Sequence, residues 1–260
     1  MVIKNFSVGE ALIEAIIEGS GNTIVLLPGL GGDASSYEQF TPMLNAVGYQ
    51  TVAINLRGIS GSTGPLKRLS LHDLAKDVAG VIDLLDDAPV HVIGRAFGNR
   101  VARCLARDRP DLVKTIILLA AGGLAKPDSE AMRQMFKLLQ PNLPKDERLK
   151  AAQLSLFSPA TSPEEILAVL KNMKTWSKAA VAHSRATQHT PVEDWWSGGE
   201  APMLVIQGLD DLIAPPANGR ALRDDFGERV KLIELENAGH AFIYEHLEVI
   251  AKEVISFLQA

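Results

Sequence analysis

Val92-Ile93-Gly94-Arg95-Ala96-Phe97-Gly98-Asn99 reads as the end of a buried strand, a tight turn and the first turn of a helix. Glycines stand two residues before and two residues after the apex, Ala96, where a strained backbone leaves no room for side chains. Short apolar runs repeat on both sides of this stretch: Thr23–Leu27, Thr51–Ile54, Val90–Ile93, Thr115–Leu119, Met203–Ile206 and Val230–Leu235. Their length and continuous apolarity suit strands buried on both faces, and helical patterns separate them. In Leu71–Leu85 the residues Leu74, Val78, Val81, Ile82 and Leu85 share one helical face, behind a Ser70/Asp73 capping box. Phe97–Arg109 and His246–Leu258 read as further helices, and residues 1–18 as an opening hairpin turning at Val8-Gly9-Glu10. The alternation predicts an α/β fold: a mostly parallel, eight-stranded sheet with helices on both faces.

From about Gly122 to Glu200 the texture changes to helical segments and loops without a convincing strand. Ser162-Pro163-Glu164-Glu165 is a helix start, with serine as cap and proline at the first position. Ser197-Gly198-Gly199 reads as a flexible return to the sheet. The expected organisation is an α/β core of residues 1–122 and 201–260 with a helical lid inserted at 123–200.

Composition bounds the function. In 260 residues, 26 Lys and Arg against 31 Asp and Glu leave a net charge of −5, without the basic blocks that nucleic acid or anionic membranes require. The one cysteine excludes an internal disulfide. No signal-peptide core and no apolar run of about 18 residues is present, so a cytoplasmic protein that neither binds nor spans a membrane is expected. No glycine-rich phosphate loop follows a strand, and no His-x-x-x-His or carboxylate cluster offers metal ligands, so neither cofactor nor metal is expected. The expected partner is a small-molecule substrate; the oligomeric state is not encoded in any of these features.

The turn around Ala96 resembles the nucleophile elbow of the α/β-hydrolase superfamily, Gly-x-Ser-x-Gly, with alanine where the serine belongs. Four more segments follow that family's order. Leu27-Pro28-Gly29-Leu30-Gly31-Gly32 resembles its oxyanion loop, Asn55-Leu56-Arg57-Gly58-Ile59-Ser60-Gly61-Ser62 its D-x-R-G-x-G-x-S loop, Gln207–Pro215 its acid loop and Asn237–Phe242 its base loop. The resemblance implies that Asp211 is the acid, with Asp210 as runner-up, and His240 the general base. It implies Leu30 and Phe97 N–H groups as oxyanion donors, and Gly29 and Arg95 as neighbours that bind substrate. Arg95, Asn99 and Asn55 depart from the usual His, Gly and Asp.

Ala96 has two accounts at this stage: an engineered loss of the hydroxyl, or a natural branch that left the acyl-enzyme route. Loss of a triad nucleophile costs about 10⁶-fold in a serine protease, leaving about 10³–10⁴-fold over water. Three readings follow. The chain acts on a small, largely apolar ester, lactone or related carbonyl compound; or it is a cofactor-free lyase, cyclase or oxygenase run by His240 and Asp211; or it is a ligand receptor. Among the other candidates, Cys104 reads as a core residue, and His72 and His91 as a helix-surface and a strand residue without partners. His183 and His189 are expected on the lid's solvent face and His246 in a local contact. Trp176, Trp195, Trp196, Phe136 and Phe157 either shape an apolar pocket or hold the lid down.

Overall fold

The computed structural model describes residues 1–140 and 142–260. Eight strands form one sheet: β1 (Val2–Val8), β2 (Ala11–Gly19), β3 (Asn22–Leu27), β4 (Tyr49–Ile54), β5 (Val90–Arg95), β6 (Val113–Leu119), β7 (Met203–Gly208) and β8 (Val230–Leu235). Their spatial order is β1-β2-β4-β3-β5-β6-β7-β8. The opening hairpin is antiparallel and β2 runs antiparallel to β4, whereas every pairing from β4 to β8 is parallel. The helices, in chain order, are α1 (Thr41–Asn45), α2 (Leu71–Leu85), α3 (Phe97–Asp108), α4 (Ser129–Leu138), α5 (Lys145–Ser155), α6 (Pro163–Asn172), α7 (Ser177–His189), α8 (Ala217–Phe226), α9 (Phe242–Glu245) and α10 (Leu247–Leu258).

The central strands are apolar throughout because both of their faces are covered. In β3, Val25 and Leu27 enter the core beneath α2 and α3, while Ile24 and Leu26 enter the core beneath α1 and α10. In β6, Ile116 and Leu118 point one way and Ile117 and Leu119 the other. Helix α2 starts on the capping box read from the sequence, since Ser70 Oγ accepts from the Asp73 amide and the Asp73 carboxylate accepts from the Ser70 amide. It stops at Asp86, which takes a left-handed conformation at φ 56°.

Among the described residues no strand of the sheet comes from 123–200. Helices α4, α5 and α6 share a small core built on Leu138, Ala152, Phe157 and Ile166. Helix α7 and the Trp195-Trp196 pair instead join the main core. Ser197-Gly198-Gly199, read as a flexible exit, is a tight turn with both glycines at positive φ, 61° and 64°. A Cβ on Gly199 would lie 2.5 Å from the Ala106 carbonyl oxygen, so close packing on α3 is what selects glycine here. No described helix is long and apolar enough to cross a membrane. The loops after β3, β5, β7 and β8 leave the same edge of the parallel sheet, the edge at which open α/β sheets bind ligands.

Candidate active site

Between the end of β5 and the start of α3 stands Ala96 at φ 49° and ψ −108°, a conformation that an L-residue adopts only under constraint. Its N–H donates to the Leu119 carbonyl at 2.8 Å. The flanking glycines are required sterically. A Cβ on Gly94 would lie 2.5 Å from Asn99 Cα, and one on Gly98 would collide with the Leu27 carbonyl oxygen. The elbow thus keeps its strained shape without the hydroxyl that the shape serves elsewhere.

The departures around it have partners of their own. Asn99 Nδ2 donates to the Ala120 carbonyl at 2.9 Å, and Asn99 Oδ1 accepts from Arg103 Nη2 at 2.6 Å. Arg103 is fully buried, reaches the Gly122 carbonyl, and lies 4.5 Å from the centre of the Trp195 ring. Asn55 donates through Nδ2 to Glu14 at 2.7 Å and accepts the Ala34 amide at 2.7 Å. An aspartate there would face Glu14 as a second carboxylate, so asparagine is the residue this pairing needs. Arg95 lies 5.2 Å from the Tyr244 ring centre and donates through Nη1 to Tyr244 Oη at 3.3 Å.

The loops after β7 and β8 bring Asp211 and His240 together. His240 Nδ1 lies 2.9 Å from Asp211 Oδ2 and 3.1 Å from Oδ1, with Asp211 2% and His240 7% exposed. Asp211 Oδ1 also accepts the Ile213 and Ala214 amides at 2.8 and 2.7 Å, which fixes the carboxylate against the imidazole. Asp210 turns elsewhere and accepts from Ser158 Oγ at 2.6 Å. The base loop is clamped from behind by Glu245, whose carboxylate accepts the Gly239 and Ser158 amides at 3.0 and 2.9 Å and the Thr161 hydroxyl.

Ala96, His240, Gly29, Leu30, Phe97 and Arg95 all line one cavity of about 370 Å³. Its size falls within the range of small-molecule sites. The turn at 29–32 is closed by the Gly32 amide on the Gly29 carbonyl at 3.1 Å, and the Trp176 amide holds the Gly31 carbonyl at 2.9 Å. Among the described residues the Leu30 and Phe97 amides have no protein acceptor. His240 Nε2 likewise has no protein partner there.

Several expectations need correction. Trp176, Trp195, Trp196, Phe136 and Phe157 do not reach the cavity wall, which takes Met135, Leu138, Leu156, Val169 and Met173 from the α4–α6 side. Trp195 and Trp196 cover Arg103, and Trp196 Nε1 donates to Asp225 at 2.7 Å. His183 is buried rather than solvent-facing. It stacks on Phe97 with ring centres 5.1 Å apart and donates from Nε2 to the Arg57 carbonyl at 2.9 Å. Burial pushes its pKa down to about 4. His72 has a partner in Asp108 at 2.6 Å, and His91 one in Thr115 at 2.8 Å. His189 is exposed, Cys104 is buried, and His246 makes its local contact with the Asn237 carbonyl at 2.9 Å. Sequence reasoning missed Arg100, which lines the cavity; its spacing of four from Ala96, one helical turn, was the signal available.

A sheet of this order, an elbow at its centre and a hydrogen-bonded Asp–His pair on the loops after β7 and β8 are the marks of an α/β-hydrolase, and the chain belongs to that family. The model described as alpha/beta hydrolase fold matches residues 22–247. The chain is similar to BpoC of Mycobacterium tuberculosis, which carries a non-heme bromoperoxidase name, at 25% identity over 256 residues, 92% of this chain and 94% of BpoC. It is 26% identical over 279 residues to the 2-hydroxy-6-oxo-6-phenylhexa-2,4-dienoate hydrolase of Comamonas testosteroni, covering 99% and 94% of the two chains. The solved enol-lactonase of Burkholderia xenovorans LB400 shares the fold, with a TM-score of 0.81 at 22% identity over 99% of this chain and 100% of that one.

Proposed function

We propose that this chain hydrolyses a small ester, lactone or related carbonyl compound without an acyl-enzyme, using His240 as the base that activates water. The carbonyl oxygen sits against the Leu30 and Phe97 amides, which receive the negative charge that develops as water attacks. Water stands where the serine hydroxyl would project, over Ala96 Cβ, and gives its proton to His240 Nε2. Asp211 holds the imidazole by Nδ1 and stabilises the imidazolium, which then returns the proton to the leaving oxygen as the C–O bond breaks. In this reading the helices of residues 123–200 are the lid over a small-molecule site, and no cofactor takes part.

The observation that carries the reading is the buried Asp211–His240 pair, retained with two extra amide bonds to the carboxylate beside an elbow that has lost its hydroxyl. A plain receptor has no use for an oriented base. The missing hydroxyl also favours a second reading, in which His240 Nε2 meets the substrate directly and removes an acidic C–H proton.

Esters and lactones assayed in ¹⁸O-water and in deuterium oxide separate the two. Water attack places one ¹⁸O in the acid product with linear, burst-free kinetics, and His240→Ala lowers kcat/KM by at least about 10²-fold. Carbon-bound deuterium without ¹⁸O supports the second reading. Undiminished turnover in His240→Ala overturns both.

A further inference from the structure

Arg100 lies on α3 one turn beyond Ala96 and forms part of the cavity wall. Its guanidinium makes no hydrogen bond with the described residues, and its Nε is buried without a partner. Several other arginines, by contrast, are held by acceptors within the chain. Arg57 is held by Asp77 through two bonds at 2.9 and 2.7 Å, Arg107 by Asp194, Arg109 by Asp83 and Asp111, and Arg220 by Glu234. Even the buried Arg103 has Asn99 and Gly122 as acceptors. Among the described residues Arg100 has only the face of Trp195, 5.8 Å away.

Arg100 is partly buried, with its Nε shut off from solvent, and a guanidinium held there without an anion is unfavourable unless something outside the chain supplies the counter-charge. Burial lowers the pKa of Arg100 to about 10, which still leaves it cationic at neutral pH. Arg95 adds a second guanidinium to the same cavity, its Nε also buried without a partner, and the N-terminus of α3 opens beside both. The carboxylates nearby are already engaged or outside: Asp211 holds His240, Asp33 accepts the Ser35 amide and hydroxyl, and Glu38 is exposed. The α4–α6 side of the cavity is mostly apolar, with Asn172 at the end of α6 and Lys174 just beyond it among its polar members.

We propose that the ligand of this cavity is a carboxylate with an apolar body, and that Arg100 holds the carboxylate. A planar guanidinium matches a carboxylate through paired N–H···O bonds, and the apolar wall takes the remainder of the molecule. The proposal rests on the reading of this cavity as the substrate site and narrows it from small carbonyl compounds to anionic ones.

Calorimetric titration of the full chain at pH 7.5 and low salt tests it, with hexanoate, octanoate and 3-phenylpropanoate each run beside the corresponding neutral amide. At least one acid is expected to bind about tenfold or more tighter than its amide. Arg100→Gln is expected to weaken the acid by about 10- to 100-fold and the amide by less than about threefold, since hydrogen bonds to charged groups are of that size. Arg100→Lys should recover part of the loss. The unliganded Arg100→Gln chain should melt no lower than the parent, whereas an arginine with a merely structural role would lower the melting temperature on removal. No binding by any acid, equal binding of acid and amide, or an acid preference that survives Arg100→Gln would overturn the proposal. Turnover of neutral p-nitrophenyl esters without acid preference sinks this inference and leaves hydrolysis standing. Acid binding that depends on Arg100, in a chain that turns over no ester or lactone, does the reverse.

Discussion

Ala96 keeps φ 49° and ψ −108° although no hydroxyl needs to be presented there. Such a residue is destabilising by about 1–3 kcal/mol and persists only where its surroundings over-determine it. Gly94, Gly98 and the Leu119 carbonyl do so here. Ala96→Ser should therefore place a hydroxyl at the apex without moving the backbone, within reach of His240. We expect this variant, unlike the parent, to be labelled stoichiometrically by a p-nitrophenyl phosphonate, read by intact-protein mass spectrometry. An unlabelled variant would mean that the elbow and oxyanion amides are not arranged as in a serine hydrolase. Gly98→Ala should destabilise the fold by about 3 kcal/mol or more in urea titrations, because its Cβ meets backbone and not a flexible side chain. A loss under about 1 kcal/mol would show that the elbow can relax.

The elements differ in how they are held. Helix α2 carries its own start signal and apolar stripe, so its limits follow from local chemistry. Helix α9 has only four residues, yet its Glu245 ties the loop bearing His240 to residues 158 and 161 beyond α5. Glu245→Ala leaves two buried amides without acceptors and should destabilise by about 2–3 kcal/mol. It should also lower kcat/KM several-fold by loosening His240, while Glu245→Gln restores part of both. Urea titration together with ester kinetics checks this, and a stable, fully active Glu245→Ala chain would remove the clamp from the account.

At the scale of the whole molecule, two buried histidines set the acid side of its stability. Burial lowers His183 and His91 each to about 4 from an ordinary value of 6.5. As pH falls below 6.5 the unfolded chain takes up these protons first, so stability is full above about pH 6.5 and declines toward pH 4. Each histidine should contribute a loss of about 2 kcal/mol between pH 7 and pH 5. Urea titrations at those two pH values measure it, and His183→Asn should flatten the dependence. A pH-independent ΔG over that interval would contradict the burial of both rings.

The strands, the capped helix, the elbow's glycines and the order of position 96, Asp211 and His240 are all readable from the chain, because each depends on local periodicity, steric demand or spacing. The same holds for the alanine at the apex, which by itself removes the covalent route. What the chain could not disclose is which long-range contact each polar side chain finds. The family resemblance prefers Asp211 to the adjacent Asp210, but the physical reason is tertiary: the folded loops turn Asp210 to Ser158 and Asp211 to His240. His183 lies in a polar helix, and only docking of α7 over the elbow stacks it on Phe97. The tryptophans suit a pocket by composition, but the buried guanidinium of Arg103 claims two of them. Arg100 is the sharpest case: its spacing from Ala96 places it one turn from the elbow, but its lack of a counter-charge exists only once β5, α3 and the α4–α6 helices close around one cavity. Periodicity and local steric fit are properties of neighbouring residues, whereas burial and charge pairing belong to contacts between segments far apart in the chain, so the former fixes elements and the latter fixes the site.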